Sequence, residues 1–213
     1  MAVVPILLLL DVSGSMEGDK IKQLKKGVNV FLKLSKKTLS GKGVSSYVSI
    51  MTFNDNTKKY EQDGSSWIPL NEIRKIKYFD TGGQTFLGSA IISAVKEMEV
   101  QLENYRKSQV TARHPTFILF TDGIPVGEDP SKFDLAIMKI KKYSYDWNII
   151  TIACGVDDTQ YMKKLSSMNT YFNNREVVYA KNAKEIVKCL RFVSSTFDTM
   201  QMLNENVDIS DSF

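Results

Sequence analysis

The sequence predicts an α/β fold in which a mostly parallel sheet carries helices on both faces. Short, continuous apolar segments alternate along the chain with segments whose apolar residues recur at helical spacing. This alternation favours right-handed strand–helix–strand crossovers, and therefore parallel pairing of the strands. The length of 213 residues and the apolar fraction of 43% fit one compact domain and exclude a disordered chain.

The first half of the chain supplies two predicted strands and two predicted helices. Residues 5–11 (PILLLLD) form an apolar run typical of a strand buried on both faces, and residues 47–53 (YVSIMTF) form another. Between them, residues 21–32 carry an apolar stripe with lysines on the opposite side, which indicates an amphipathic helix. A Gly/Ser/Lys turn is expected at residues 40–44. The clearest helical stripe of the chain runs over residues 87–102.

The segment 54–83 is the least regular part of the sequence. We expect residues 58–62 to form a short, polar edge strand, followed by a turn at Asp63-Gly64. Residues 67–70 (WIPL) are apolar enough to cover the core. This segment is too short to form a second domain.

The second half continues the alternation. Residues 116–122 (TFILFTD) and 148–154 (NIITIAC) are predicted strands. Asp129 followed by Pro130 is typical of a capped helix start, and that helix continues through Ile140. Beyond these segments the sequence predicts a short helix, a weak strand and a last helix, at residues 161–168, 176–180 and 186–197. We expect residues 1–203 to form the domain and the polar, acidic residues 204–213 to form a disordered tail.

Composition excludes several classes of protein. The net charge of +4 is too small to indicate nucleic-acid binding, and no apolar run approaches the roughly 18 residues that cross a bilayer. The beginning of the chain does not resemble a secretory signal, which predicts a cytoplasmic protein. Cys154 and Cys189 are expected to be buried thiols and not a disulfide or a zinc site. With His114 as its one histidine, the chain has no histidine-rich zinc site.

Polar residues at the ends of two predicted strands indicate a cation site. Asp11 and Asp122 each close an apolar strand, a position that is costly for a carboxylate unless a partner satisfies it. In open parallel sheets such strand ends face the ligand-binding edge. Ser13 and Ser15 follow Asp11 closely, and the glycine-rich segment 81–84 leads to Thr85 at the start of the clearest helix.

The donor set decides which ion suits this site. The five candidate ligands offer hard oxygen atoms, with no sulfur and no imidazole: Asp11, Ser13, Ser15, Thr85 and Asp122. Such a set suits Mg²⁺, or Mn²⁺ or Ca²⁺. Three neutral hydroxyls and two carboxylates that act through water leave the ion strongly electrophilic, so that a carboxylate from a partner completes its shell.

These motifs resemble the von Willebrand factor type A domain. The segment DVSGS matches the family's DxSxS motif, and Thr85 and Asp122 match its later threonine and the aspartate of its TDG motif. The resemblance spans residues 5–193. It implies a Rossmann-like, three-layer fold with a six-stranded sheet and one antiparallel edge strand near residues 58–62. It also implies a metal-ion-dependent adhesion site (MIDAS), at which a divalent cation binds and is then coordinated by an acidic protein ligand.

More narrowly, the chain resembles the stand-alone bacterial TerY-type members. The segments LLLLDVSGSMEGDKI, TFLGSAI and FTDGIP fit that type. This resemblance implies a binding module without catalysis of its own, in a tellurite-resistance or stress-response system. The implied partners present Asp or Glu, and are tellurium-resistance proteins or a kinase and phosphatase pair. Another interpretation is an adaptor for an AAA+ ATPase.

One departure from the family pattern concerns the metal threonine. In many members a glycine directly precedes that residue, whereas here Gln84 stands between Gly83 and Thr85, which makes Thr81 a rival. We favour Thr85 because the following residues then continue in the family's register, with Gly88 where the helix packs closely.

Simpler interpretations exist for each motif. The serines can cap a turn, Asp122-Gly123 can be only a turn pair, and the lysines of residues 20–37 can be a solvated helix face or can dock an acidic partner. A metal-assisted phosphoester hydrolase is the alternative of another class. The DxD motif of dehalogenase-type phosphatases, the GxSxG elbow and the P-loop are all missing from the sequence.

Overall fold

The computed structural model describes residues 2–39, 45–156, 158–170 and 177–203, with only the backbone described for Thr159 and for residues 195–203. The predicted turn at residues 40–44, the start of the weak strand at Glu176 and the predicted tail at residues 204–213 lie outside the described residues.

One mixed sheet forms the centre of the described fold. Its main strands follow the order β3-β2-β1-β6-β7-β8, in which the five from β2 to β8 are parallel and β3 is the antiparallel edge strand. Two further strands of two residues each extend it, since β4 pairs with β2 and β5 pairs with β1. The strands are β1 (Ala2–Asp11), β2 (Ser45–Phe53), β3 (Thr57–Lys59), β4 (Ile68–Pro69), β5 (Thr111–Ala112), β6 (Thr116–Thr121), β7 (Asn148–Cys154) and β8 (Val178–Ala180).

This sheet confirms the predicted fold class and the five parallel strands with one antiparallel edge strand. The edge strand begins one residue earlier than predicted and is shorter. The sheet has eight strands instead of six because of β4 and β5, each of which makes only two residue pairs. Pairings this short leave no apolar period in the sequence from which to predict them.

Helices cover both faces of the sheet. A 3₁₀ turn spans Gly14–Met16, and the α-helices are α1 (Asp19–Leu39), α2 (Leu87–Lys107), α3 (Pro130–Lys141), α4 (Thr159–Ser166) and α5 (Ala183–Leu203). Helices α1 and α5 pack on one face, and α2, α3 and α4 pack on the other. The predicted cap of α3 is present, since the Asp129 carboxylate accepts a hydrogen bond from Ser131 N at 2.9 Å.

Strand β1 shows how the sequence builds two cores at once. Leu8 and Leu10 point into the core beneath α1 and α5, whereas Leu7 and Leu9 point into the core beneath α2 and α3. All four side chains are fully buried. A strand with a helix layer on each side needs apolar residues at every position, which explains its uninterrupted leucines. None of the described helices is long and apolar enough to cross a membrane.

Candidate metal centre

Asp11 lies at the carboxyl end of β1 and is completely buried. Its Oδ1 accepts a hydrogen bond from Ser13 N at 2.9 Å, and its Oδ2 accepts one from Thr121 Oγ1 at 2.8 Å. Burial raises the pKa of this carboxyl above its ordinary value, and the hydrogen bonds from Ser13 and Thr121 offset part of that rise. A carboxylate in this position is therefore held in a fixed orientation and is stabilised by any cation brought beside it.

The two serines connect the ends of β1 and β6. Ser13 directly precedes the 3₁₀ turn that follows β1, and Ser15 lies within it. Their Oγ atoms are 3.0 Å apart. Ser15 Oγ donates a hydrogen bond to Asp122 Oδ1 at 2.7 Å. The hydroxyls therefore form a continuous polar chain that reaches from one predicted ligand-bearing segment to the other.

Asp122 follows β6 directly, and its side chain is fully buried. Its Oδ2 forms an ion pair with Nζ of Lys20, which lies in the first turn of α1 and is about one-third exposed. The Asp122 carboxylate is therefore already paired with a positive charge, and the Lys20 ammonium group occupies the place of charge that a metal ion would otherwise supply.

A glycine turn brings the third segment to the site. Gly82 and Gly83 have positive φ angles of 142° and 75°. The turn is tied to the β1 segment, since Gly82 N donates to Val12 O at 3.0 Å and Gly14 N donates to Gly83 O at 3.1 Å. A Cβ on Gly83 would lie 2.1 Å from Oδ1 of the exposed Asp55, whose side chain can move aside, so it is the positive φ that disfavours a larger residue there.

Thr85 lies two residues before α2 and is 5% exposed. It exchanges two backbone hydrogen bonds with Val126, of 3.2 and 3.1 Å. A Cβ placed on Gly123 would lie 3.7 Å from Thr85 Oγ1 and 3.8 Å from Ser15 Oγ, so the two hydroxyls converge on the space beside this glycine. Thr81 lies elsewhere, in the lining of a neighbouring cavity.

The structure thus brings together the five residues that the sequence singles out, from three separate segments of the chain. The donor set fits a hard divalent cation. Two oxygen ligands at right angles, each about 2.1 Å from Mg²⁺, lie about 3 Å apart, and the Ser13–Ser15 separation is 3.0 Å. The described residues contain no group of three or more His, Cys, Asp or Glu side chains arranged for a metal, so a metal here depends on the hydroxyls as well as on the carboxylates.

Several residues of this region were missed by the sequence analysis. Thr121 and Lys20 contact the two aspartates directly. Asn54 fixes the glycine turn, since its side-chain Nδ2 donates to Gly82 O at 2.8 Å and its backbone oxygen accepts from Phe86 N at 2.9 Å. Asn54 follows the carboxyl end of β2, so the rule that pointed to Asp11 and Asp122 applies to it too.

Tyr161 of α4 is a further neighbour of the two carboxylates. Burial raises the pKa of its phenol well above the ordinary value, and Asp11 and Asp122 add to that rise. Its hydroxyl lies near Thr121 but meets no hydrogen-bond partner of normal geometry among the described residues. The group therefore stays protonated and keeps its O–H available. No pattern in the sequence distinguishes this tyrosine from an ordinary core residue.

Known proteins resemble this chain in sequence or in fold. The chain is 26% identical over 169 residues to human inter-alpha-trypsin inhibitor heavy chain H6, a match that covers 77% of the chain and 12% of that relative. The pilus adhesin SpaC of Lactobacillus rhamnosus GG aligns with a TM-score of 0.69 at 14% identity, over 94% of this chain and 31% of that one. Proximal thread matrix protein 1 of the mussel byssus, solved with zinc in its MIDAS motif, aligns with a TM-score of 0.55 at 18% identity, over 90% and 46% of the two chains.

The family model of the von Willebrand factor type A domain matches residues 6–192, which include all three segments of the candidate site. This match covers most of the chain and agrees with the sheet order and the helix layers described above. The chain belongs to the von Willebrand factor type A domain family.

Proposed function

We propose that this domain is a metal-ion-dependent protein-binding module. The observation that carries the proposal is the convergence of the Ser13, Ser15 and Thr85 hydroxyls beside two buried carboxylates. In this proposal the three hydroxyls hold Mg²⁺, or Mn²⁺ or Ca²⁺, while Asp11 and Asp122 bind its water ligands. The ion supplies an electrophilic position at which a carboxylate of the protein partner binds.

The residues around the ion have distinct tasks. Asp11 holds the backbone of Ser13 through its Oδ1, and Asp122 orients the hydroxyl of Ser15. Because the direct ligands are neutral hydroxyls, little of the ion's charge is cancelled by the protein itself. A carboxylate of the protein partner therefore interacts strongly with the ion. The zinc in the mussel protein's motif supports the inclusion of Zn²⁺ among the ions tested.

Thermal unfolding with and without metal tests the proposal. An ion that binds only the folded state adds about 2.7 kcal/mol to the free energy of unfolding at a hundredfold excess over its Kd. We expect a higher Tm with Mg²⁺ than with EDTA, and no such difference in Asp11→Ala or Ser13→Ala. Ser93→Ala is the control, because this exposed serine lies on α2 and its hydroxyl donates to Ser89 O of the same helix. Melting curves of the unchanged protein that superimpose with Mg²⁺ and with EDTA would contradict a working site.

The partner is tested separately. Pull-downs from a lysate in Mg²⁺ and in EDTA, followed by mass spectrometry, should recover a protein only in Mg²⁺. Asp11→Ala should fold normally and lose that protein, because Asp11 supports ligand positions at a strand end. If the variant instead fails to fold, Asp11 has a structural role.

Phosphoester turnover that disappears in an Asp122 variant would support the hydrolase interpretation in place of binding.

We also propose that the domain extends over residues 1–203 and acts as a cytoplasmic TerY-type member, in a tellurite-resistance or stress-response system. The support is the resemblance of its three motif segments to that type. The neighbouring genes test this assignment. Tellurium-resistance genes or a kinase and phosphatase pair are expected beside it, and an AAA+ ATPase gene there would favour the adaptor interpretation.

A further inference from the structure

A basic groove runs between α1 and the segment 73–75. Its volume is 530 Å³, and no carboxylate lies among the residues that line it. Six of its lining residues are positively charged: Lys25, Lys26, Lys33, Lys36, Arg74 and Lys75.

Much of this positive charge has no counter-ion. Arg74 pairs with Asp63 at 2.7 Å, but within the described part of the chain no ion pair involves Lys26, Lys33 or Lys75. Helix α1 itself carries seven lysines and one acidic residue, Asp19. Like charges on neighbouring turns of a helix destabilise it, and a bound anion would remove that cost.

The floor and walls of the basic groove suit a peptide. Val30, Leu32 and Ile73 provide apolar surface between the lysines. The two sides are joined by the side chain of Asn29, which accepts a hydrogen bond from Ile76 N at 2.9 Å and donates one to Ile76 O at 3.0 Å. The groove is therefore already formed before a ligand binds, so binding carries little entropic cost of ordering the protein.

The basic groove leads towards the candidate metal centre. Arg74 and Lys75 also line a second cavity, of 800 Å³, whose lining includes Thr81, Gly82 and Gly83. These glycines belong to the turn that is hydrogen-bonded to the DVSGS segment. A chain that lies in the basic groove can thus continue to the rim of the metal site.

We propose that the basic groove binds an acidic segment with interleaved apolar residues, in the same protein partner whose carboxylate completes the metal shell. That such a partner exists rests on the proposed function, whereas the acidic and apolar character of the bound segment is inferred from the residues that line the groove. A peptide is favoured over a nucleic acid because the lining of the groove has no aromatic side chain on which a base can stack, and because the net charge is only +4.

Charge reversal tests the groove. Fluorescence anisotropy measures binding of a short labelled peptide rich in Glu and Leu, in EDTA so that the metal site plays no part. We expect Lys26→Glu/Lys33→Glu to weaken binding by at least about tenfold, since each reversal removes one attraction and adds one repulsion. Lys141→Glu/Lys142→Glu is the control. It changes the net charge equally, at exposed residues at the end of α3, on the opposite face of the sheet.

Three results would overturn the proposal: no binding to the unchanged protein, an equal loss in both double variants, or tighter binding of a single-stranded oligonucleotide than of the peptide. Failure of the proposed function has a different signature. In that case the peptide binds in the basic groove, but Mg²⁺ leaves its affinity unchanged in the parent protein and in Asp11→Ala alike.

Discussion

At the scale of single residues, the ion pair between Lys20 and Asp122 places a protein cation beside the proposed metal. A divalent ion and the ammonium group favour the same carboxylate, so they compete. We expect Lys20→Met to raise the affinity for Mg²⁺ by about three- to tenfold and to lower the stability of the metal-free protein by about 1 kcal/mol, since the pair is partly exposed. Calorimetric titration measures the first effect, and unfolding in EDTA measures the second.

Lys22→Met is the matched control for this prediction. Lys22 lies two residues further along α1 and is largely exposed, and its nearest partner is Asp19 at 3.8 Å. Its replacement should leave metal affinity within the error of the titration. Equal affinities in the Lys20 and Lys22 variants would mean that the ammonium group does not oppose the ion.

Substitution of Thr85 and substitution of Thr81 should have different effects on binding. The Thr85 hydroxyl shares the space beside Gly123 with Ser15, whereas Thr81 lines the neighbouring cavity. In the von Willebrand factor type A family this threonine changes between direct and water-mediated contact as an acidic ligand binds, so Thr85→Ala should weaken partner binding much more than it weakens binding of the bare metal. Thr81→Ala should change neither by more than about 0.5 kcal/mol. Titration of metal and partner into both variants decides between them, and a larger defect for Thr81→Ala would reverse the assignment.

The sequence pointed to candidate ligands where chemistry and position coincide, and their role as ligands stays a prediction. Asp11 and Asp122 were found because a carboxylate at the end of an apolar strand is unusual, and the serines because they follow one of them. Lys20 was not found, because it is one of seven lysines on α1 and only the folded chain shows which of them faces Asp122.

At the scale of secondary-structure elements, two glycines mark the closest helix contacts. A Cβ on Gly88 of α2 would lie 2.6 Å from backbone atoms of Lys132 and Phe133 in α3. A Cβ on Gly27 of α1 would lie equally close to Leu190, but to the flexible end of its side chain. The first contact is rigid and the second can adjust.

Alanine substitution should separate these two contacts. We expect Gly88→Ala to lower the free energy of unfolding by about 1–3 kcal/mol, because α2 and α3 must move apart. In Gly27→Ala, rotation of Leu190 and a gain in helix propensity of about 1 kcal/mol should leave the net change small. Urea unfolding measures both. Equal losses would show that backbone proximity does not limit the α2–α3 contact.

Elements were predictable from sequence in proportion to their apolar content. Strands β6 and β7 are fully buried and β1 is buried from Val3 onwards; all three contain the predicted apolar runs, although β1 begins three residues earlier than predicted. The edge strand β3 is largely exposed and is held by only three residue pairs with β2, so its bounds carry no apolar signal. Its position depends on the partner strand and not on its own composition.

At the scale of the whole molecule, the two cysteines report on the integrity of the core. Both are free and buried, which confirms the expected thiols. Burial raises the pKa of Cys154 above its ordinary value and that of Cys189 to about 11. A raised pKa leaves less of the reactive thiolate at any given pH below it.

A thiol reagent therefore measures opening of the fold. At about pH 8 we expect slow modification of the native protein, and rapid modification of both thiols in denaturant. Metal should slow the native reaction further if it stabilises the fold. Cys154→Ala serves to assign the remaining signal to Cys189. Rapid modification of the native protein would contradict the burial of these residues.

The backbone hydrogen bonds that tie the glycine turn to the β1 segment have a consequence for ion size. Ser15 and Thr85 lie on segments cross-linked through Gly14, Gly82 and Gly83, so the backbones that carry their hydroxyls cannot move apart unless those bonds break. Ligand oxygens lie about 2.1 Å from Mg²⁺ and about 2.3–2.6 Å from Ca²⁺. Because a backbone held in this way adapts less readily to longer ligand distances, we expect the site to prefer Mg²⁺ over Ca²⁺, although both ions present the same charge to the same oxygen atoms.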